Sequence, residues 1–107
     1  MQENVNDSSS KNLVRIEIIC SQALEEDFNE EFKNAGVAKR YTKISPVMGA
    51  GYSNPHLGDA VWPQLNLMYI IYCDDDEAKK IQDIVVKLRK LFITEGIACF
   101  IGRGTEV

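Results

Sequence analysis

Residues Leu13 to Gly36 read LVRIEIICSQALEEDFNEEFKNAG, and two different periods meet inside that stretch. Up to Cys20 the side chains alternate: Val14, Ile16, Ile18 and Cys20 fall on one face, while Arg15 and Glu17 fall on the other. Period two with β-branched residues predicts a strand that is half exposed to water. Ser21 is suited to cap a helix, and Glu25, Glu26 and Asp27 then stand where the positive end of a helix dipole favours them. Leu24, Phe28, Phe32 and Ala35 recur at spacings of four, four and three, which makes one helical stripe. Gly36 fits the position just past the helix end. The stretch is one strand followed by one helix.

Toward the N-terminus, Met1 to Asn12 (MQENVNDSSSKN) holds one aliphatic side chain after the first Met. Such a segment cannot offset its own ordering entropy, so a disordered polar tail is expected over 1–12 and a single domain over 13–107. Toward the C-terminus, Tyr41 to Met48 (YTKISPVM) predicts a second strand. Pro46 gives no backbone donor and places that strand at an edge or at a bulge. Gly49 to Leu65 is a long connection with three glycines, two prolines, the only His and the only Trp. Connections of this length in compact domains tend to be functional. Asn66 to Cys73 (NLMYIIYC) is apolar almost throughout and reads as a central strand. Asp74 followed by Glu77 has the spacing of a capping box. Ile81, Ile84, Val85, Leu88 and Leu91 mark a second helix, Ile97 to Ile101 a last short strand, and Gly102 onward is expected to fray.

The order β-α-β-β-α-β with right-handed crossovers predicts a four-stranded antiparallel sheet in the order 4-1-3-2. Both helices lie on one face, an α+β sandwich of the ferredoxin-like kind. The other face then carries Leu13, Ile19, Met68, Ile70 and Tyr72 with no helix to cover them. An uncovered apolar face predicts a subunit interface, and a trimer or dimer is expected in place of a monomer.

Composition narrows the function. The chain has 107 residues, 45% of them hydrophobic and 26% charged, as in an ordinary globular domain. Its longest apolar run, Leu67 to Cys73, is far short of the ~18 residues of a membrane span. Twelve basic against sixteen acidic side chains give a net charge of −4, which argues against nucleic acid as the partner. Nothing at the N-terminus reads as a secretory signal, and a cytoplasmic location is expected.

Candidate chemistry is sparse. Gly49-Ala50-Gly51 lets the backbone leave its strand at unusual dihedrals and approach a ligand. Lys43, next to Lys39 and Arg40, and Arg103 after the last strand are candidates to hold a phosphate across a subunit boundary. His56, Asp59 and Trp62 mark the long connection as a partner-contacting loop, with Trp62 either folding back onto the domain or docking into a partner as an interface anchor. Cys20, Cys73 and Cys99 lack CxxC spacing. With strands one and three taken as parallel neighbours, their terminal thiols Cys20 and Cys73, with Cys99 or His56, make an alternative soft-metal site. No catalytic set is formed by one His without an evident partner, so enzyme activity is not expected. A small enzyme of the dimeric ferredoxin-like barrel type would have to depend on His56.

The pattern resembles the PII nitrogen-signalling family and its shorter PII-like relatives. The element order carries the resemblance, together with the passage Lys43-Ile44-Ser45-Pro46-Val47-Met48-Gly49-Ala50-Gly51 and the long connection after it, over roughly Leu13 to Ile101. The resemblance implies a homotrimer with small-molecule sites in clefts between subunits. It also implies that the long connection is a T-loop reporting the bound state to a membrane transporter or an enzyme. Gly49 and Gly51 carry over as ligand contacts, and Tyr52 follows them. The family's Arg-Gln after the glycines is here Tyr52-Ser53, and its phosphate-gripping glycine-rich segment is replaced by Phe92-Ile93-Thr94-Glu95-Gly96. Those departures point away from ATP toward a less phosphorylated adenine nucleotide, a small anion such as bicarbonate, or a metal ion. Metal-tolerance proteins of the CutA type share the architecture and supply the alternative reading.

Overall fold

The computed structural model describes residues 11–48 and 65–107. Strand β1 (Lys11–Ser21) leads through a 3-10 turn (Gln22–Leu24) into helix α1 (Glu25–Ala35). Strands β2 (Thr42–Val47) and β3 (Asn66–Cys73), helix α2 (Asp75–Leu91) and strand β4 (Ile97–Glu106) follow. The four strands form one sheet in the order β2-β3-β1-β4, with every neighbouring pair antiparallel. That is the expected order, read from the other edge.

Alternation in β1 decides the layering. Val14, Ile16, Ile18 and Cys20 are all buried, and they join Leu67, Tyr69, Ile71 and Cys73 of β3 under the two helices. The 3-10 turn and α1 supply Leu24, Phe28 and Phe32, and α2 supplies Ile81, Ile84, Val85 and Leu88. At the centre the aromatic rings interlock. Tyr69 lies 5.6 Å edge-on to Phe32 and 6.0 Å from Phe28, with Tyr41 also edge-on to it at 5.4 Å. Its hydroxyl donates to Asn29 Oδ1 at 2.9 Å, so the buried phenol leaves no unpaired proton.

Local signals place the element ends. Ser21 Oγ accepts from the Ala23 N–H at 3.1 Å, so Ser21 caps the 3-10 turn, and α1 starts one turn later. Gly36 takes the left-handed conformation (φ 68°), and the Val37 N–H reaches back to the Phe32 carbonyl at 3.0 Å. Asp74 caps α2 by accepting from the Glu77 N–H at 2.8 Å. The return arm of the expected capping box is replaced: Glu77 Oε2 accepts from the Ala38 N–H at 2.8 Å, and so ties the α1–β2 connection to the start of α2. Pro46 lies on an edge strand and also in a register shift, between the Ile44↔Met68 and Val47↔Asn66 pairs.

Four expectations at element ends are corrected. Ala35 is exposed, because the turn at Gly36 sends Val37 and Ala38 into the core in its place. Leu91, the last residue of α2, is 62% exposed, and Phe92 packs against the core instead. Gly102 to Glu106 continue β4, and β1 opens at Lys11, before the expected Leu13. Lys11 pairs with Glu106 and Asn12 with Thr105, whose hydroxyl donates to Asn12 Oδ1 at 3.0 Å. Each of these short polar ends supplies the hydrogen-bond partner that the other lacks.

Phe28 has no exposure and touches both other core aromatic rings, so Phe28→Ala should cost about 3–5 kcal/mol in urea unfolding followed by circular dichroism. Leu91→Ala should cost less than about 1 kcal/mol at the same protein concentration.

Candidate functional site

The two strands that flank residues 49–64 leave the sheet at one end. Val47 pairs with Asn66 there, Ser21 pairs with Asn66 from the other side, and Cys20 pairs with Ile97 at the start of β4. Gln22 joins this end together. Its backbone N–H donates to the Leu65 carbonyl at 3.1 Å, and its side-chain Nε2 donates to Ser45 Oγ at 2.6 Å. One residue of the β1–α1 turn therefore holds both β2 and β3. The sequence reading passed over Gln22, because a polar residue after a cap carries no pattern of its own.

Lys43 stands on the helix side of β2, opposite Tyr69, and forms an ion pair with Glu25 of α1. That carboxylate raises the lysine pKa, chiefly through their hydrogen bond. Arg103 is paired with Val14 on β4 and reaches Asp75 at 3.1 Å, both side chains well exposed. Lys43 and Arg103 thus occupy the two opposite edge strands and do not converge within one chain. Lys39 and Arg40, their neighbours in sequence, line a recess of about 300 Å³ with Gly36, Tyr72 and Glu77. The other expected site residues, Gly49, Gly51, Tyr52, His56, Asp59 and Trp62, lie outside the described residues.

The thiols are not brought together as expected. β3 runs antiparallel to both of its neighbours, β2 and β1, and so not parallel to β1. Cys20 faces Leu67 while Cys73 faces Val14, at opposite ends of the same strand pair. Cys99 pairs with Ile18, one step diagonal to Cys20 on the helix side. Burial is the main cause of raised thiol pKa values: Cys20 is pushed up to about 12, Cys73 to about 11, and Cys99 upward. Glu25 and Glu95 add to the shift at Cys20, and Glu77 adds to it at Cys73. Among the described residues no group of three His, Cys, Asp or Glu side chains is placed to hold a metal ion.

The helix-free face is present as expected. Leu13 and Ile19 of β1 and Met68, Ile70 and Tyr72 of β3 all point to it, because their strand neighbours point into the core. Register adds Ile44 of β2, 42% exposed, and Phe100 of β4, 61% exposed. Phe100 was legible from the alternation of IACFI once β4 was paired with β1. On this face, beside Tyr72, Gly104 packs so closely that an added Cβ would come within 2.7 Å of the ring. Leu13, Tyr72, Gly104, Thr105 and Glu106 border a recess of about 270 Å³ there.

Protonated, buried thiols are poor nucleophiles. Cys20 and Cys73 should resist a disulfide reagent at neutral pH in the folded chain, Cys99 should react slowly, and all three should react quickly in denaturant. A thiol pKa raised on folding favours the folded state at low pH. Thermal stability should therefore fall as pH rises from 9 toward about 12, and Cys20→Ala should flatten that fall.

No family model and no curated protein matches this sequence. Solved structures do. CPII, a nitrogen regulatory PII-like protein from Thiomonas intermedia K12, solved with ADP, AMP and bicarbonate, superposes with a TM-score of 0.69. The match is 18% identical and covers 92% of this chain and 96% of that one. The same protein with ADP and bicarbonate gives 0.67 at 21% identity, over 90% and 89% of the two chains. A protein from Thermus thermophilus, described as PII-like, gives 0.67 at 20% identity, over 92% and 93%. This chain has the fold of the PII-like proteins.

Proposed function

We propose that the chain is a divergent PII-like regulatory protein. It assembles as a homotrimer through the helix-free sheet face, binds a small effector in the clefts between subunits, and contacts a target through residues 49–65. The observation that carries this reading is an apolar sheet face that no helix among the described residues covers, on a fold whose two edge strands each present a cation. Within one chain, Lys43 on β2 and Arg103 on β4 are too far apart across the sheet to share a ligand. In a closed ring the β2 edge of one copy meets the β4 edge of the next, and both cations border one cleft. Guanidinium and ammonium groups so placed suit phosphate or carbonate oxygens.

The effector class follows from the charges. Glu25 and Glu95 lie near the end from which β2 and β3 depart, and they disfavour a triphosphate. An adenine nucleotide with fewer phosphates, or a small anion such as bicarbonate, fits better, and CPII was solved with ligands of both kinds. Each cation is held by a carboxylate of its own chain, Lys43 by Glu25 and Arg103 by Asp75. An anionic effector competes with those carboxylates. Its differential affinity for the two arrangements is the free energy that can shift residues 49–65 toward or away from a target. A membrane transporter or an enzyme is the target class proposed, and the protein itself acts by binding and not by catalysis. The metal-tolerance reading is not advanced, since Cys20 and Cys73 sit at opposite ends of a strand pair.

Calorimetric titration with ADP, AMP and bicarbonate tests this. Saturable binding of at least one is expected, weakened about tenfold, or about 1.4 kcal/mol, by Lys43→Ala and by Arg103→Ala. Absence of binding for all three at millimolar concentration would overturn the effector reading.

A further inference from the structure

Near the middle of the helix-free face a compact ionic cluster stands among apolar side chains. Arg15 Nη2 lies 2.5 Å from Glu17 Oε2, and Arg15 Nη1 donates to Tyr72 Oη at 2.7 Å. The guanidinium also lies over the Tyr72 ring, 5.6 Å from its centroid. Register sets what surrounds the cluster. Glu17 stands between Ile70 on β3 and Phe100 on β4, while Arg15 stands between Tyr72 and Gly102. Leu13 and Ile19 flank the pair along β1.

Charge says what covers this face. The chain carries −4 overall, so two copies repel in most orientations. On the helix-free side the strand register places Lys11 and Arg15 with Glu17 and Glu106, and these four cancel. A second copy can approach here without like-charge repulsion, and it meets Leu13, Ile19, Ile70 and Phe100. Covering a lone ion would be costly. An arginine already engaged by a carboxylate, a phenol and an aromatic face loses much less on leaving water.

We propose that Arg15, Glu17 and Tyr72 form the register element of a chain-to-chain interface, in which another copy covers this face in one arrangement and slipped arrangements are rejected. The proposal rests on the oligomeric reading above and assigns residues within it. A slipped copy would set Arg15 against Arg15, or leave Glu17 covered without its partner. Either error is expensive in a dry interface, whereas the surrounding aliphatic side chains tolerate many offsets.

Sedimentation of the full chain and its variants tests this, with circular dichroism to confirm folding. The wild type should form one oligomeric species. Arg15→Met should raise the dissociation constant at least about tenfold, because Glu17 is then buried unpaired. Glu17→Gln, which preserves shape, should also weaken assembly. Arg15→Met with Glu17→Leu should restore association but yield several masses. Lys87→Ala, at the exposed Lys87–Glu31 pair on the helix side, should change nothing. A wild type that sediments at 12.1 kDa would overturn the oligomeric reading itself. A wild-type oligomer that Arg15→Met leaves unchanged, or a double variant with a single wild-type mass, would overturn only the register element.

Discussion

Strand β1 hydrogen-bonds to β3 along one edge and to β4 along the other, so its backbone is satisfied on both sides over most of its length. The rest of the molecule follows from that position. One face of the strand is fully buried beneath two helices, through Val14, Ile16, Ile18 and Cys20. The other face keeps Leu13 and Ile19 half exposed beside an ionic pair. A central strand with a dry side and a half-wet apolar side is stable within one chain but leaves surface that favours association. Lys43 and Arg103 lie on the two separate edges of the sheet, so a single chain does not bring them to one ligand.

Much of the fold was legible in the sequence because period and position agreed. Alternation in β1 and β3, the stripe Leu24-Phe28-Phe32, the Asp74 cap and Pro46 each pointed to a local structure compatible with all the others. The strand order followed from handedness alone. The readings that failed lie at element ends, where partners distant in sequence decide. Gly102 to Glu106 looked like a fraying tail because nothing local marks a strand there, yet Lys11 to Arg15 supply its ladder. Ala35 and Leu91 fitted their helical stripes but fall where the chain turns away, and Val37 and Phe92 take over the contact with the core.

The site was less legible for a related reason. Lys43 and Arg103 were found as residue types, but their carboxylate partners Glu25 and Asp75 are set by tertiary packing. Strand direction also governs the cysteines. A strand pair taken as parallel put Cys20 beside Cys73, and the antiparallel ladder separates them by the length of the pair. Gln22 carries no periodic or motif signal, and its role at the β2–β3 end appears only when Ser45 and Leu65 are seen around it.

The central claim is that identical copies cover the helix-free face. Methyl cross-saturation in a mixed sample of protonated and deuterated, methyl-labelled chains reads this directly. The account predicts transfer to the methyl groups of Leu13, Ile19 and Ile70, and none to Ile81 and Ile84 in the helix-side core. Transfer absent from that face, or appearing instead on the outer surface of the helices, would contradict it.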